Sequence, residues 1–280
     1  MKIKIRYETK YSYEAEVSFS PHIFRLFPKA DTHLKVERFV FETNPGANVQ
    51  YRRDLFDNIV THCFYPEKSR DLWARLELDL GLEERNAFHF ILASRASNFP
   101  FQYEPEEIAV LTPFLSAPAT PLTLPFWKAR AGPTVGVLVD LNQAIHDHLR
   151  YERREEGAPR TPEETLALGA GACRDFAVLL AHALRTLGIA ARLASGYLLE
   201  GGGGSRTAEG ALHAWTEAYL PGAGWVGLDP TNGIFCNHNH IAAAVGLSPE
   251  DVAPISGHYY ADRHVPSSMA ASLQLMSCPD

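Results

Sequence analysis

The sequence predicts an α+β protein: an antiparallel β-sandwich-like N-terminal domain followed by a domain of helices and antiparallel strands. Two observations lead to this prediction. Short runs of β-branched and aromatic residues, several alternating with period two, fill residues 1–99. From Val135 onwards, apolar residues recur at three- and four-residue spacing, as in an amphipathic helix. We therefore divide the chain into a β-rich domain at 1–99, a connector at 100–133 and a second domain at 134–280.

In the first domain, Gly, Pro, Asn or Asp separates the strand-like runs, which is typical of β-structure. The predicted strands are Lys2–Tyr7, Tyr11–Phe19, Leu34–Thr43, Asn48–Tyr51, Ile59–Tyr65 and Asp71–Leu80. No cluster of chemically active residues stands out here. The histidines of this half are therefore expected to be ordinary strand or loop residues.

The connector is rich in proline and yet strongly apolar. Residues 100–133 hold seven of the 19 prolines, and proline removes backbone donors, so most of this segment is neither helix nor central strand. A flexible linker would not carry side chains such as Phe101, Tyr103 and Trp127. We expect an extended connector packed against the rest of the protein, with a short helix at Glu106–Phe114.

The last segment predicts three helices and then a set of strands. Leu138, Leu141, Ile145 and Leu149 share one face of the first helix. Thr161-Pro162-Glu163-Glu164 is a capping box that begins a short helix. A glycine-rich turn then leads into an apolar-striped helix that ends at Gly188. The predicted strands are Ala191–Leu199, His213–Leu220, Trp225–Asp229, His258–Arg263 and Ala270–Met276.

Composition excludes several classes of partner. The net charge is −7, and Lys and Arg do not cluster, which argues against a nucleic-acid-binding surface. No stretch approaches the roughly 20 apolar residues that a membrane span requires. The four cysteines (63, 173, 236 and 278) are scattered and are interpreted as free thiols. We expect a cytoplasmic protein with neither a nucleic-acid nor a membrane partner.

Cys173 is the candidate nucleophile. It lies where the glycine-rich turn becomes a helix, and the unpaired N–H groups and positive dipole of a helix start stabilise a thiolate. Taken alone, it is as well explained as a buried core cysteine. The catalytic interpretation is favoured by His213 and Asp229, which lie on two strands joined at residues 221–224. If His213 pairs with Asp229, the turn between the strands centres on Pro221. Any pairing in which the two residue numbers add up to an even number keeps both side chains on one face of the sheet.

The three motifs around these residues are Gly171-Ala-Cys173-Arg-Asp175-Phe-Ala, His213-Ala-Trp215-Thr-Glu217 and Leu228-Asp229-Pro230-Thr-Asn. In order and spacing they resemble the transglutaminase-like superfamily. More narrowly, the chain resembles bacterial transglutaminase-like enzymes, some classed as cysteine proteases, that carry a β-rich N-terminal region. The resemblance implies a papain-like core in which Cys173, His213 and Asp229 are catalytic, with no cofactor.

The chemistry of these residues is acyl transfer from an amide carbonyl of a protein or peptide substrate. Water as acceptor gives peptidase or deamidase activity, and an amine gives transglutamination; the sequence leaves this choice and the oligomeric state open. The Cys173 N–H is one expected oxyanion donor, and Tyr151 is a candidate for the second. The glycine-rich loop Gly201–Gly210 is expected to border the substrate cleft.

Two other classes of function stay open. One is a binding protein that retains this fold with an inactive site. The other is a metal-dependent hydrolase, because Cys236, His238 and His240 alternate and would share one face of a strand, where they could bind zinc. No fourth ligand can be named for such a site.

The thiol assignment makes a direct prediction. In the native protein at about pH 6–7, iodoacetamide should alkylate Cys173 faster than the other three cysteines, because only Cys173 combines a helix N-terminus with a histidine partner. Mass mapping after a short reaction measures this selectivity. Equal labelling of all four thiols would contradict a catalytic Cys173.

Overall fold

The computed structural model describes residues 1–116, 122–154, 157–199, 207–209 and 212–278. The helices in these ranges are α1 (Pro105–Leu115), α2 (Thr134–His148), α3 (Pro162–Leu168), α4 (Cys173–Thr186) and α5 (Pro249–Val252), with a 3₁₀ turn at Ser94–Ala96. The strands are β1 (Lys2–Phe19), β2 (His22–Phe24), β3 (Leu34–Asn44), β4 (Asn48–Arg53), β5 (Ile59–Phe64), β6 (Ser69–Leu82), β7 (Asn98–Phe99), β8 (Gly132–Pro133), β9 (Arg150–Tyr151), β10 (Ala170–Gly171), β11 (Ala191–Leu198), β12 (Thr207–Glu209), β13 (Leu212–Leu220), β14 (Gly224–Asp229), β15 (Ile234–Phe235), β16 (His240–Gly246), β17 (Ile255–Ser256), β18 (Tyr259–Tyr260) and β19 (Ser267–Cys278). The predicted α+β class is confirmed.

The first sheet has the strand order β12-β19-β1-β6-β3, and β18 also pairs with β1. Two of the predicted strands, Lys2–Tyr7 and Tyr11–Phe19, are one continuous strand, β1. Its register against β6 shifts between Ser12 and Val17, so a bulge bends this long strand without ending it. Strand β19, from the C-terminal part of the chain, pairs with β1 along its first twelve residues. The sheet therefore joins both ends of the chain, while the proposed domain boundaries stay a prediction.

The second sheet has the order β17-β2-β5-β4 and packs on the first as a sandwich. Alternate side chains of both sheets are buried in one apolar cluster, which includes Ile5 and Leu72 from the first sheet and Phe24 from the second. Tyr197 and Ile241, from β11 and β16, join the same cluster. The N-terminal core is thus continuous with one face of the third sheet.

The third sheet, ordered β15-β14-β13-β11-β16, carries α4 on its other face. Phe176, Leu180 and Leu184 recur along α4 at helical spacing, and all three are buried in the cluster that α4 shares with β11 and β13. Helix α3 begins as predicted: Thr161 Oγ1 accepts from Glu164 N, and the Glu164 carboxylate accepts from Thr161 N. No helix of the described residues is long and apolar enough to span a membrane.

The segment between residues 100 and 133 is packed where it is described. The hydroxyl of Tyr103 donates to Tyr219 O (2.8 Å) and accepts from Ala190 N (3.0 Å), which attaches this segment to the third sheet. Residues 117–121 lie outside the described residues. So does most of the predicted loop Gly201–Gly210; its described part, β12, forms the edge of the first sheet beside β19.

Gly196 is a point of close approach in the third sheet. It pairs with His213 on β13 and with Ala242 on β16, where the register shifts by a bulge. A Cβ at Gly196 would meet the backbone oxygen of Ile241 at 2.0 Å. Only glycine therefore lets β16 close on β11 beside His213.

Gly196→Ala should destabilise the protein by about 2–4 kcal/mol, because backbone atoms, which cannot rotate away, occupy the methyl position. Urea unfolding midpoints measure the loss. Gly136→Ala is the matched control: in α2 its nearest new neighbour would be Pro133 Cβ at 4.0 Å, so its free energy of unfolding should stay within about 1 kcal/mol of wild type. Equal stability of the two variants would contradict the close approach.

Candidate active site

Asp175 holds the helix start that carries Cys173. The N-cap residue is Ala172, which has no capping side chain; instead the Asp175 carboxylate reaches back and accepts from Ala172 N (2.8 Å). Asp175 is fully buried and also accepts from Arg154 Nη2 (2.7 and 2.9 Å) and from Arg160 N (2.8 Å). A Cβ on Gly171 would lie 2.8 Å from the Asp175 Cβ, which explains the glycine two residues before the cysteine.

His213 and Asp229 share one face of the third sheet, in a register that differs from the prediction. The β13–β14 pairing runs from Thr216↔Leu228 to Leu220↔Gly224. The turn therefore centres on residue 222, one position beyond the predicted Pro221, and His213 has Gly196 of β11 as its cross-strand partner. The numbers of the paired residues still add up to an even number, so the side chains of His213 and Asp229 lie on the same face of the sheet.

The imidazole of His213 joins the other two predicted residues. Its Nε2 lies 2.8 Å from Asp229 Oδ2, and its side chain also hydrogen-bonds to Cys173. Burial by itself would lower the pKa of His213, but the hydrogen bonds with Asp229 and Cys173 outweigh it and raise the pKa to about 10. The imidazole is therefore protonated near neutral pH.

Asp229 is fully buried and accepts from five donors. They are His213 Nε2 and His240 Nε2, the amide and side-chain nitrogens of Asn232, and Thr231 N. Burial would raise the pKa of this carboxyl, but the hydrogen bonds, led by that from His213, hold it well below its ordinary range. Asp229 is a permanent anion on the far side of the imidazole from Cys173.

A cavity of about 500 Å³ opens onto this arrangement. Cys173 and His213 line it together with Arg174, Tyr151 and Glu250. Strands β1 and β19 of the first sheet supply the opposite wall through residues that include Tyr7, Tyr11 and Leu273. The N-terminal sheet is therefore part of the site.

The other described thiols are in a different environment. Burial raises the pKa of Cys63 to about 11 and that of Cys236 well above its ordinary value. Neither thiol ionises near neutral pH. Cys173 is only partly buried and faces the cavity.

The predicted grouping of Cys236, His238 and His240 is wrong. These residues do not alternate on a strand, because residues 236–239 form a turn in which Asn237 Oδ1 accepts from Asn239 N. The turn separates the three side chains: Cys236 packs against Gly227, His238 is near Arg85 at the surface, and His240 points inward. They do not form a metal site.

His240 is the site residue that the sequence interpretation missed. Its Nε2 lies 3.1 Å from Asp229 Oδ2, and its side chain is buried. The only sequence signal was its place in the Cys-Asn-His-Asn-His segment, which suggested metal binding instead. Among the described residues, possible metal-ligating atoms do converge at His213, Asp229 and His240. Hydrogen bonds already join these atoms, and both histidines present Nε2 to one oxygen, so the set is accounted for as a hydrogen-bonded triplet.

Comparison with known proteins finds family matches for two segments of the chain. Residues 128–230 match the family described as "Transglutaminase-like superfamily", and residues 3–79 match the "Bacterial transglutaminase-like N-terminal region". An uncharacterized protein of Mycobacterium leprae is 41% identical over 91 residues, 32% of each chain. An uncharacterized protein of Mycobacterium tuberculosis is 32% identical over 174 residues, 60% of this chain and 53% of the relative. The matched segments thus span from a third to about half of these relatives' length.

The fold is similar to a solved structure over the full chain. A crystal structure of a "Putative Cysteine Protease" from Cytophaga hutchinsonii superposes with a TM-score of 0.72 at 18% identity, covering 100% of this chain and 92% of that one. The two sequence matches follow each other along one chain, and the motifs around Cys173 and His213 lie within the second. The core of this chain, residues 128–230, thus matches the transglutaminase-like superfamily, and a bacterial transglutaminase-like N-terminal region precedes it.

Proposed function

We propose that this protein is a thiol-dependent enzyme that transfers the acyl group of an amide, with Cys173 as nucleophile, His213 as general base and acid, and Asp229 as the residue that orients His213. The observation that supports this most directly is the unbroken series of side-chain contacts from Cys173 through His213 to Asp229 beside the cavity. The family match supports the coarser conclusion of a thiol-dependent enzyme family.

In the first half of the reaction, the thiolate of Cys173 attacks the amide carbonyl carbon. A C–S bond forms, and the carbonyl π electrons move to oxygen. When the oxyanion collapses, the C–N bond breaks, and protonated His213 gives its Nδ1 proton to the leaving nitrogen. Nε2 remains bonded to Asp229 throughout, which keeps the ring aligned.

In the second half, His213 accepts a proton from water or from an amine that attacks the thioester. The C–S bond breaks, and the thiolate and imidazolium are restored. Water yields an acid, as in a peptidase or deamidase, and an amine yields a new amide, as in a transglutaminase. We propose a protein or peptide substrate, since the cavity wall combines aromatic, aliphatic and charged side chains.

The oxyanion requires hydrogen-bond donors. The N–H of Cys173, at the first position of α4, has no acceptor within the helix and is one donor in this proposal. Tyr151 remains the candidate for the second donor, because it lines the same cavity. Its strand, β9, pairs with β10 immediately before the nucleophile, which couples the two positions.

The two alternatives are less well supported. A binding protein with an inactive site has no need to keep a buried carboxylate, an imidazole and a thiol in contact. A metal hydrolase centred on Cys236, His238 and His240 is ruled out by their separation in the turn. We further propose that the enzyme acts in the cytoplasm, which cell fractionation with an antibody to the protein tests.

Single substitutions should separate the roles of the three residues. Cys173→Ala and His213→Ala should abolish turnover, whereas Asp229→Ala should retain roughly 10–100 times more activity than either, because the orienting residue contributes less than the nucleophile and base. Turnover of glutamine-containing peptides measures this, and circular dichroism controls for folding. Full activity in Cys173→Ala would sink the nucleophile assignment.

The same reactions identify the acceptor. With a peptide substrate and a labelled primary amine present together, mass spectrometry distinguishes backbone cleavage, conversion of glutamine to glutamate, and incorporation of the amine. Each product corresponds to one of the three activities. Wild-type protein alkylated at Cys173 is the blank for all three.

The pKa of His213 predicts the alkaline limit of activity. Its value of about 10 lies above the ordinary 6.5, so the imidazolium is present below that value and is lost as the pH rises through about 10. The alkaline limb of kcat/KM should therefore fall near pH 10. In Asp229→Ala, the pKa of His213 should be lower because the stabilising anion is gone. The residual activity should therefore begin to fall at a lower pH than in the wild type. An identical limb in both proteins would show that Asp229 does not act on His213.

A further inference from the structure

The hydrogen bonds of His240 determine its tautomer. Asn237 N donates to His240 Nδ1 (3.3 Å), so this nitrogen carries a lone pair and no proton. The proton of the neutral ring is therefore on Nε2, which lies 3.1 Å from Asp229 Oδ2. His240 is thus a neutral donor to the carboxylate.

One carboxylate oxygen serves both histidines. Asp229 Oδ2 accepts from His213 Nε2 at 2.8 Å and from His240 Nε2 at 3.1 Å. Each donor withdraws negative charge from the oxygen and weakens its attraction for the proton of the other donor. The His240 bond therefore acts on the same atom that stabilises the imidazolium.

Trp215 fixes the angle between the two rings. The indole is buried; the ring of His213 lies nearly parallel to it, with centroids 6.3 Å apart, and that of His240 meets it edge-on at 5.5 Å. Asn237 and Asp229 each hydrogen-bond to one nitrogen of His240, and Trp215 packs against its ring, so the orientation of the ring is fixed. Such a ring presents its Nε2–H to Asp229 in a fixed direction.

We infer that His240 is a positioning residue for the proposed reaction: its Nε2–H shares Asp229 Oδ2 with His213 and limits how strongly that carboxylate binds the His213 proton. The inference rests on the proposed function of the three residues. It adds a fourth side chain, from β16, to a site otherwise built by α4, β13 and β14.

Loss of the His240 donor should change the pKa of His213 in one direction. With one donor fewer, Asp229 Oδ2 is more negative and binds the His213 proton more tightly, so the pKa of His213 should rise. The titratable groups in contact with the His213–Asp229 pair are Cys173 from α4 and His240 from β16, while Arg174 and Glu250 line the cavity nearby. In the NMR experiment Cys173→Ala is common to all the proteins compared, so among these groups only His240 differs between them.

Three variants separate positioning from structure. His240→Gln keeps an N–H at about the reach of Nε2, while His240→Phe keeps the ring volume and removes the donor. His238→Gln is the matched control, because it changes a half-buried histidine two residues away that contacts Arg85 and not Asp229. Each is prepared with Cys173→Ala, and the imidazole of His213 is titrated by NMR. This measurement requires no substrate.

We expect the pKa of His213 to rise by at least about 0.5 in His240→Phe and to stay within about 0.2 of the parent in His240→Gln and His238→Gln. An unchanged or lowered pKa in His240→Phe would overturn the inference. An equal rise of the His213 pKa in His240→Gln would also overturn it. This variant keeps the N–H donor, so such a rise would come from the loss of the ring and not from the loss of the hydrogen bond.

The rate of Cys173 alkylation by iodoacetamide is the second readout, in variants that keep Cys173. Because a His213 that holds its proton more tightly stabilises the Cys173 thiolate, the rate at about pH 7 in His240→Phe should not fall more than about 3-fold below wild type, and it should stay within about 3-fold in His240→Gln and His238→Gln. A rate in His240→Phe about 10-fold or more below wild type would overturn the inference, because it would show that the thiolate has lost its imidazolium partner. The two hypotheses fail separately: inert Cys173 in the wild type contradicts the proposed function, whereas the NMR titration tests the action of His240 on Asp229 and His213 by itself.

Discussion

The buried carboxylate of Asp229 is the group around which the rest of the site is arranged. An isolated buried charge would be very costly, so this position exists only because five donors converge on it. Three donors are local, from the turn that follows β14, and two come from β13 and β16. Asn142 on α2 also donates to the Asp229 carbonyl oxygen, at 3.3 Å, which ties the end of β14 to the helical layer.

The third sheet brings the side chains around Asp229 together. Strand β13 lies between β14 and β11, so His213 has Asp229 on one side and the glycine of β11 on the other. The close approach of β16 at Gly196 is what allows a second histidine to reach the same carboxylate. From the opposite direction, α4 presents Cys173, and Asp175 fixes where that helix begins. The contacts from Cys173 through His213 to Asp229 and His240 therefore depend on three long-range packings: β13 against its neighbouring strands, β16 against β11, and α4 against the sheet.

The N-terminal sheet gives the site its second wall. Strands β1 and β19 line the cavity opposite Cys173, although they lie almost at the two ends of the chain. Since β19 pairs along β1, a change in that pairing would move residues of the cavity wall. We expect substrate selectivity to depend on this sheet as much as on the core around Cys173.

The sequence by itself determined the elements whose cause is local. The apolar stripe of α4, the capping box at Thr161 and the two strands that carry His213 and Asp229 can each be recognised from a few neighbouring residues, because helix period, cap chemistry and strand alternation are short-range properties. Only the tertiary structure decided the pairing of β19 with β1 and the place of His240. Both depend on contacts between segments far apart in the chain, and the turn at residues 236–239 reverses what alternation along a strand would imply.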